Sequence, residues 1–372
     1  MKNQILLFGN TRNSADIRYF CGMPIHDDYF FFTKKGRKYA LLSPLEIGRA
    51  RRASVLDEIF DFNEVCAAMP GKHQKSYFDA AVYLLRKARI RSFAVPKDFP
   101  AAMLENFLKE GFDIEICQSQ IFPERERKSA FEQAEIAKAN DVASACFCLA
   151  EEILRTSEIR GDRLIYQGEI LTSEFLRTEI EKLSISLGAD ALDTIAASGI
   201  QACDPHEAGS GPVRPNSLIV FDIFPRLRSS GYFGDMTRTF LKGTPNEKQI
   251  RLVESVLRAQ SRALNMIAEG VDGAEVHSAV VDSFEADGFK TKFSRGHWGG
   301  FFHSTGHGLG LEVHEGPSLG TRRCILESGN VVTVEPGLYY REVGGCRIED
   351  NVLVEQGGVR MLSKYHYNWV IE

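Results

Sequence analysis

No stretch of this chain is apolar for the roughly 18 residues that a membrane-spanning helix requires, so nothing in it is expected to cross a bilayer. The only apolar run near the start, Ile5–Phe8, is too short for the hydrophobic segment of a signal peptide. Basic charge is not in excess either. Lys and Arg number 45 against 50 Asp and Glu, a formal net charge of −5, which leaves no broad cationic face for nucleic acid or an anionic membrane. The eight cysteines are dispersed and form no CxxC pair, which predicts reduced, mostly buried thiols in a cytoplasmic protein. Cys146 and Cys148 are close, but a spacing of two on a helix points their side chains apart. A phosphate-binding glycine loop, low-complexity tracts and short-period repeats are all missing.

What remains is the composition of an ordinary globular protein, 44% hydrophobic and 26% charged, in 372 residues, a length that suits two domains. The first part alternates strand-like and helix-like stretches. Asp28–Thr33 and Lys38–Ser43 flank a Lys-Lys-Gly-Arg turn and predict a hairpin. Helices are expected over Pro44–Ala53, Ser76–Ala88 and Ala101–Lys109, and strands over Ser92–Val95 and Asp113–Cys117. The charged, proline-containing segment Phe122–Lys128 then marks a boundary, giving a smaller N-terminal α/β domain over 1–124 and a second domain over 125–372, an α+β chain overall. Past it, Val142, Cys146, Leu149 and Ile153 share one helical face, as do Leu176, Ile180, Leu183 and Leu187, with Gly188 as a stop signal. Strands take over from Leu218, interrupted by helical stretches at Glu247–Ala268 and Ala274–Glu285.

Inside those strands lie acids that do not belong in apolar runs. Asp222 interrupts Leu-Ile-Val-Phe-Asp-Ile-Phe, and Glu335 interrupts Val-Val-Thr-Val-Glu-Pro-Gly. A single such residue is most simply a solvated carboxylate on an edge strand, because burying it unpaired is expensive. Four of them change the balance. Asp222 and Asp235 are spaced almost as Glu335 and Glu349 are, and each pair sits on two strand-like runs: Leu218–Phe224 with Tyr232–Leu241, and Val331–Tyr340 with Cys346–Val354. Two facing hairpins would bring all four carboxylates to one centre, where divalent cations would offset their charge. Three of the nine histidines, His303, His307 and His314, fall in the segment FHSTGHGLGLEVHEGP, whose Gly306, Gly308 and Gly310 allow close backbone approach. Those glycines are incompatible with an HExxH zinc helix. Four carboxylates and one imidazole suit a pair of divalent cations.

These segments, GYFGDMTRTF (231–240), HSTGHGLGLEVHE (303–315), VEPGLYY (334–340) and CRIEDNVLV (346–354), resemble the pita-bread metallopeptidases, and the agreement in order and spacing extends over roughly 190–360. The N-terminal α/β domain is similar to the extra domain of the aminopeptidase P and prolidase branch. The resemblance implies a C-terminal pita-bread fold with Asp222 on one metal, Asp235 and Glu349 bridging, and His307 and Glu335 completing the second. It implies further site residues in His206, His303, His314 and Arg347, and Glu335 as proton shuttle. Two metals that share a water can lower its pKa toward neutrality. Mn²⁺ is the first expectation, with Co²⁺, Fe²⁺ and Zn²⁺ as alternatives, and the expected partner is a peptide, with a homodimer as the assembly common in the family.

The implied activity is removal of an N-terminal residue preceding proline, as by an Xaa-Pro aminopeptidase, with Xaa-Pro dipeptidase as the close alternative. Ser318 stands where some prolidases carry an arginine for the dipeptide carboxylate, although Arg322 and Arg323 are near. Phe224-Pro225 and Gly234 also depart from the pattern, Gly234 replacing a serine common before the bridging acid. For Arg347 a plain salt bridge to Asp350 or another acid is the rival role. A metal-free creatinase-like enzyme or a binding scaffold on the same fold would be expected to have lost ligands or histidines that this chain retains.

Overall fold

The structure is a computed structural model that describes residues 4–71, 75–294 and 296–372. The chain divides into two compact units, Met1–Arg125 and Glu126–Glu372.

In the first unit, strands Leu6–Gly9, Tyr29–Lys34, Arg37–Leu42 and Glu58–Asp61 form one sheet in that order, the last joining in parallel. The hairpin closes through Lys35 and Gly36, both with positive φ (52° and 76°), a turn whose twist matches that of its strands. Successive side chains alternate between faces, so Leu6, Phe30 and Leu41 fill one core while Leu7, Phe31 and Ala40 fill another. Both faces are therefore covered, which is why these strands read as continuous apolar runs. Helix Tyr77–Lys87 opens with a reciprocal cap between Ser76 and Asp79. Strands Ser92–Pro96 and Asp113–Cys117 pair in parallel around helix Ala101–Lys109.

The second unit begins with the long helix Ala130–Thr156, capped reciprocally by Ser129 and Glu132. Val142, Cys146 and Ile153 are buried along it, whereas Cys148 is exposed. The strands Ile195–Ser198, Ile219–Ile223, Met236–Lys242 and Val370–Ile371 form one sheet in that order. A second sheet runs in the order Glu315–Leu319, Gly306–Gly308, Val331–Val334, Asp350–Glu355, Gly358–Met361. Helices Glu247–Met266 and Gly273–Ala286 share a core with it through Leu252, Val256, Val276, Val332 and Val352. Among the described residues no helix is long and apolar enough to cross a membrane.

The expected second hairpin is broken. Val331–Tyr340 splits at Glu335-Pro336 into strands Val331–Val334 and Gly337–Tyr340, and the partner run splits at Ile348-Glu349 into Gly344–Arg347 and Asp350–Glu355. The outer pieces pair within the five-stranded sheet and the inner pieces form their own two-stranded ribbon. Proline at 336 has no N–H to give a ladder, and the two glutamates sit where the chain changes sheets.

One buried cation joins the two halves of the unit. Arg238, 2% exposed, pairs with Asp350 at 2.8 Å and donates to the carbonyls of Glu349 (2.6 Å), Tyr365 (3.0 Å) and His366 (3.1 Å). Asp350 also accepts from Gln260, Ser363 and Tyr367. Removing one partner of such a pair leaves an uncompensated buried charge. Asp350→Ala is therefore expected to destabilise the chain by about 3–5 kcal/mol in urea unfolding, against under about 1 kcal/mol for Glu254→Ala, which removes the exposed contact to Arg258. Equal effects of the two substitutions would disprove the central role of the Arg238 pair.

Candidate metal centre

The segment Asp235-Met236-Thr237-Arg238-Thr239 places one acid and ties its neighbours down. Asp235 immediately precedes its strand, and Met236 is fully buried in the core. Thr237 donates its hydroxyl to Glu349 at 2.7 Å, and the Glu349 amide donates to the Thr237 carbonyl at 3.0 Å. Thr239 exchanges two hydrogen bonds with the Arg347 backbone, at 2.9 and 3.1 Å. The Asp235 amide donates to the Asn140 side chain (3.0 Å), and Asn351 donates to both Asn140 (2.9 Å) and the Asp235 carbonyl (2.7 Å). Gly234 explains itself here. A Cβ on it would lie 2.6 Å from the Asn140 amide nitrogen in the long helix, so no serine fits while that helix packs so close.

His307 lies on the short strand Gly306–Gly308. A Cβ at Gly306 would run into the Thr333 carbonyl and one at Gly308 into Gly316. Bare glycines let the neighbouring strands close on both sides of the imidazole. His307 Nδ1 lies 3.1 Å from the Gly308 carbonyl, which fixes that nitrogen as donor and leaves Nε2 as the lone-pair side. Nε2 is 3.3 Å from Glu335 and 3.8 Å from Asp235. Burial holds the His307 pKa down, keeping the ring neutral as a ligand must be.

Ligand atoms of Asp235, His307 and Glu349 all lie within 4.8 Å of one another. Asp222 and Glu335 line the same cavity of about 790 Å³. One oxygen of Asp222 is bound by Arg347 at 2.6 Å, and the other is buried with no hydrogen-bond partner among the described residues. Arg347 thus bridges to Asp222 and not to Asp350, which belongs to Arg238. Burial, reinforced by the neighbouring carboxylates, raises Asp235 and Glu349 well above the carboxylate range, and burial lifts Glu335 to about 7. An orphaned carboxylate oxygen, a neutral imidazole and crowded acids reluctant to ionise are what a site for hard divalent cations requires, so the residues fit the expected metals.

The histidines divide. His206 and His314 line the cavity with no hydrogen-bond partner among the described residues, and the His314 ring stands 4.3 Å from that of His307. His303 also lines the cavity, but its nitrogens face the Ser304 carbonyl (2.8 Å) and the Tyr339 hydroxyl (3.0 Å). Burial lowers its pKa to about 3, so it is neutral. Tyr339, whose own pKa burial raises to about 12, accepts from Arg347 at 2.9 Å. Arg347, Tyr339 and His303 therefore form a relay of hydrogen bonds behind Asp222. Tyr339 was not singled out from the sequence, although it lies within the VEPGLYY motif; nor was the cavity wall Phe302, and Phe224 stood out only as a departure from the family pattern.

Metal removal has a pH signature. The folded-state pKa values of Asp235, Glu349 and Glu335 lie above the unfolded-chain values near 4, so a chelated protein holds these protons more tightly folded than unfolded. The part due to Glu335 is complete below about pH 4 and is lost as pH rises through about 7. The Tm of chelated protein should fall between pH 5.5 and 8, Mn²⁺ should restore it most at pH 8, and Glu335→Gln should flatten the slope. A chelated-protein Tm that rises across this window, with a slope untouched by the substitution, would contradict this.

Among curated proteins, the chain is 37% identical over 190 residues to the Xaa-Pro dipeptidase of Pyrococcus furiosus, a match covering 50% of this chain and 52% of that protein, so the matched part spans about half of that relative's length. Among solved structures, the Xaa-Pro dipeptidase of Bacillus anthracis superposes with a TM-score of 0.82 at 25% identity, over 100% of this chain and 95% of that one. The X-Pro aminopeptidase of Thermotoga maritima superposes with a TM-score of 0.81 over 99% of this chain and 97% of that one, a likeness of fold at 22% identity. The expected mixed architecture with a pita-bread domain is therefore the one present. Residues 134–356, more than half of the sequence and all of the clustered acids and histidines described above, match metallopeptidase family M24, and the chain belongs to that family.

Proposed function

We propose that this chain is a metal-dependent exopeptidase that removes the N-terminal residue from peptides whose second residue is proline. The observation that carries this is the convergence on one cavity of five ligand-type side chains and two histidines that have no hydrogen-bond partner among the described residues. Asp222, Asp235, His307, Glu335 and Glu349 would hold two divalent cations. When bound, such ions polarise a substrate carbonyl and acidify water.

The chain's own residues supply the remainder. Glu335, where the chain turns between strands, takes the proton of the attacking water and passes it to the departing proline nitrogen. His206 and His314 donate to the substrate carbonyl and to the charge that develops on it. Arg347 is spoken for by Asp222 and Tyr339, so its part is to hold a ligand in position. Phe224, Phe302 and Val313 give the cavity apolar walls against which a proline ring can pack.

Substrate length separates two versions. Ser318, in register opposite His307, carries a hydroxyl and no charge for a dipeptide carboxylate, which favours an aminopeptidase. The name of the Pyrococcus furiosus relative favours the second version, an Xaa-Pro dipeptidase. In Mn²⁺, a series from Ala-Pro to longer peptides, with free or amidated carboxyl ends, should be cleaved at the bond before proline. Asp235→Ala and Glu349→Ala should abolish turnover and metal uptake together. Activity that survives exhaustive chelation or these substitutions would remove the proposal, and cleavage confined to dipeptides would select the dipeptidase version.

A further inference from the structure

Beside the metal cavity lies a second hollow of about 410 Å³. Asp204, Pro205 and Phe302 wall both, so the two are neighbours through shared side chains. Its outer wall is the hairpin of strands Lys292–Ser294 and His297–Gly299. Phe293 and Trp298 are cross-strand partners on that hairpin, their rings 5.4 Å apart, and both stay exposed, at 61% and 53%. From Trp298 the aromatic row continues to Phe302 (6.4 Å) and on to Tyr339 (5.3 Å) at the site itself. A two-stranded hairpin has little stability alone. This one is fastened at its base, where Gly300 and Tyr339 exchange backbone hydrogen bonds at 3.0 and 3.2 Å and Thr291 clasps the Phe301 backbone. It is a braced wall that presents two aromatic rings to solvent, an arrangement more typical of a ligand surface than of a core.

The rim also carries charge. Arg341, just past the Gly337–Tyr340 strand, is exposed, donates to His297 Nε2, and has no carboxylate at ion-pair distance among the described residues. The acids that would bind cations line the other cavity and Asp204 stands between the two, so the hollows in sequence run from an acidic, metal-binding end to aromatic rings and a guanidinium with no ion-pair partner among the described residues. A peptide has the matching polarity: an amine at one end and a carboxylate at the other. The metal cavity alone, at about 790 Å³, lies in the range that encloses a small ligand and can take a dipeptide unaided.

We infer that the side hollow binds the part of a short peptide beyond proline, with Trp298 and Phe293 packing on the residue after proline and Arg341 pairing with the terminal carboxylate. The inference rests on the exopeptidase reading above and assigns its substrate class: short peptides longer than two residues, with an apolar third residue and a free carboxyl end. Ser318 then needs no charge, because Arg341 takes the carboxylate.

The test compares kcat/KM for Ala-Pro, Ala-Pro-Phe and amidated Ala-Pro-Phe in wild-type, Trp298→Ala and Arg341→Gln proteins loaded with Mn²⁺. Trp298→Ala should reduce cleavage of both tripeptides about tenfold, mainly through KM. Arg341→Gln should reduce cleavage of the free-acid tripeptide about fivefold, as an exposed ion pair allows, and leave the amide unchanged. Ala-Pro should be cleaved equally by all three proteins, which also shows that the variants fold. Equal losses on Ala-Pro, or no loss on Ala-Pro-Phe, would overturn the inference. Wild-type cleavage of Ala-Pro with no cleavage of either tripeptide would overturn it while leaving the exopeptidase reading intact; cleavage of no peptide at all would overturn both.

Discussion

Like charges crowded out of water are the constraint that the second unit is built around. Asp235, Glu349 and Glu335 are held in a cavity where burial and mutual repulsion disfavour their ionised forms. Nothing intrinsic draws such groups together, so the fold has to hold them there. Five consecutive residues do much of that work. Asp235 is itself a member of the cluster, Met236 anchors the strand in the core, Thr237 and Thr239 grip the Glu349 side chain and the Arg347 backbone, and Arg238 locks onto the Glu349 carbonyl and Asp350. The crowding is held in place by hydrogen bonds that meet backbone as often as side chain, which gives them little freedom to relax.

That division explains what could be read from the chain alone. The acids were visible because each interrupts an apolar run, a conflict between local burial and charge that needs a partner to resolve it. The histidine loop was visible because three glycines surround an imidazole, and the structure gives the reason in the carbonyls of Thr333 and Gly316 pressed against Gly306 and Gly308. In the first unit the Lys35-Gly36 hairpin and the helices over Pro44–Ala53 and Ala101–Lys109 were equally plain, since turn chemistry and periodicity are local signals.

Other features depend on long-range partners and left no such trace. The break of the second hairpin at Glu335 and Glu349 follows from pairing with strands distant in sequence. Tyr339 reads as one more aromatic in a strand until Arg347 and His303 are seen on either side of its hydroxyl. Asn140 lies midway along an amphipathic helix, and only the fold reveals that its amide oxygen receives the Asp235 amide and the Asn351 side chain. Strand Leu6–Gly9 and helix Ala15–Cys21 escaped notice because both are short, and strand Glu58–Asp61 is recruited by its neighbour more than by its own composition.

Gly234 couples a buried acid to the seating of the long helix. Without a side chain there, the long helix approaches until Asn140 caps the Asp235 backbone. A chain with serine at this position would have to seat that helix farther out and find another donor-acceptor scheme for the same amide. Positions 140 and 234 are therefore physically coupled: a side chain at 234 would move the helix that carries Asn140 and, with it, the hydrogen bond that holds the Asp235 amide.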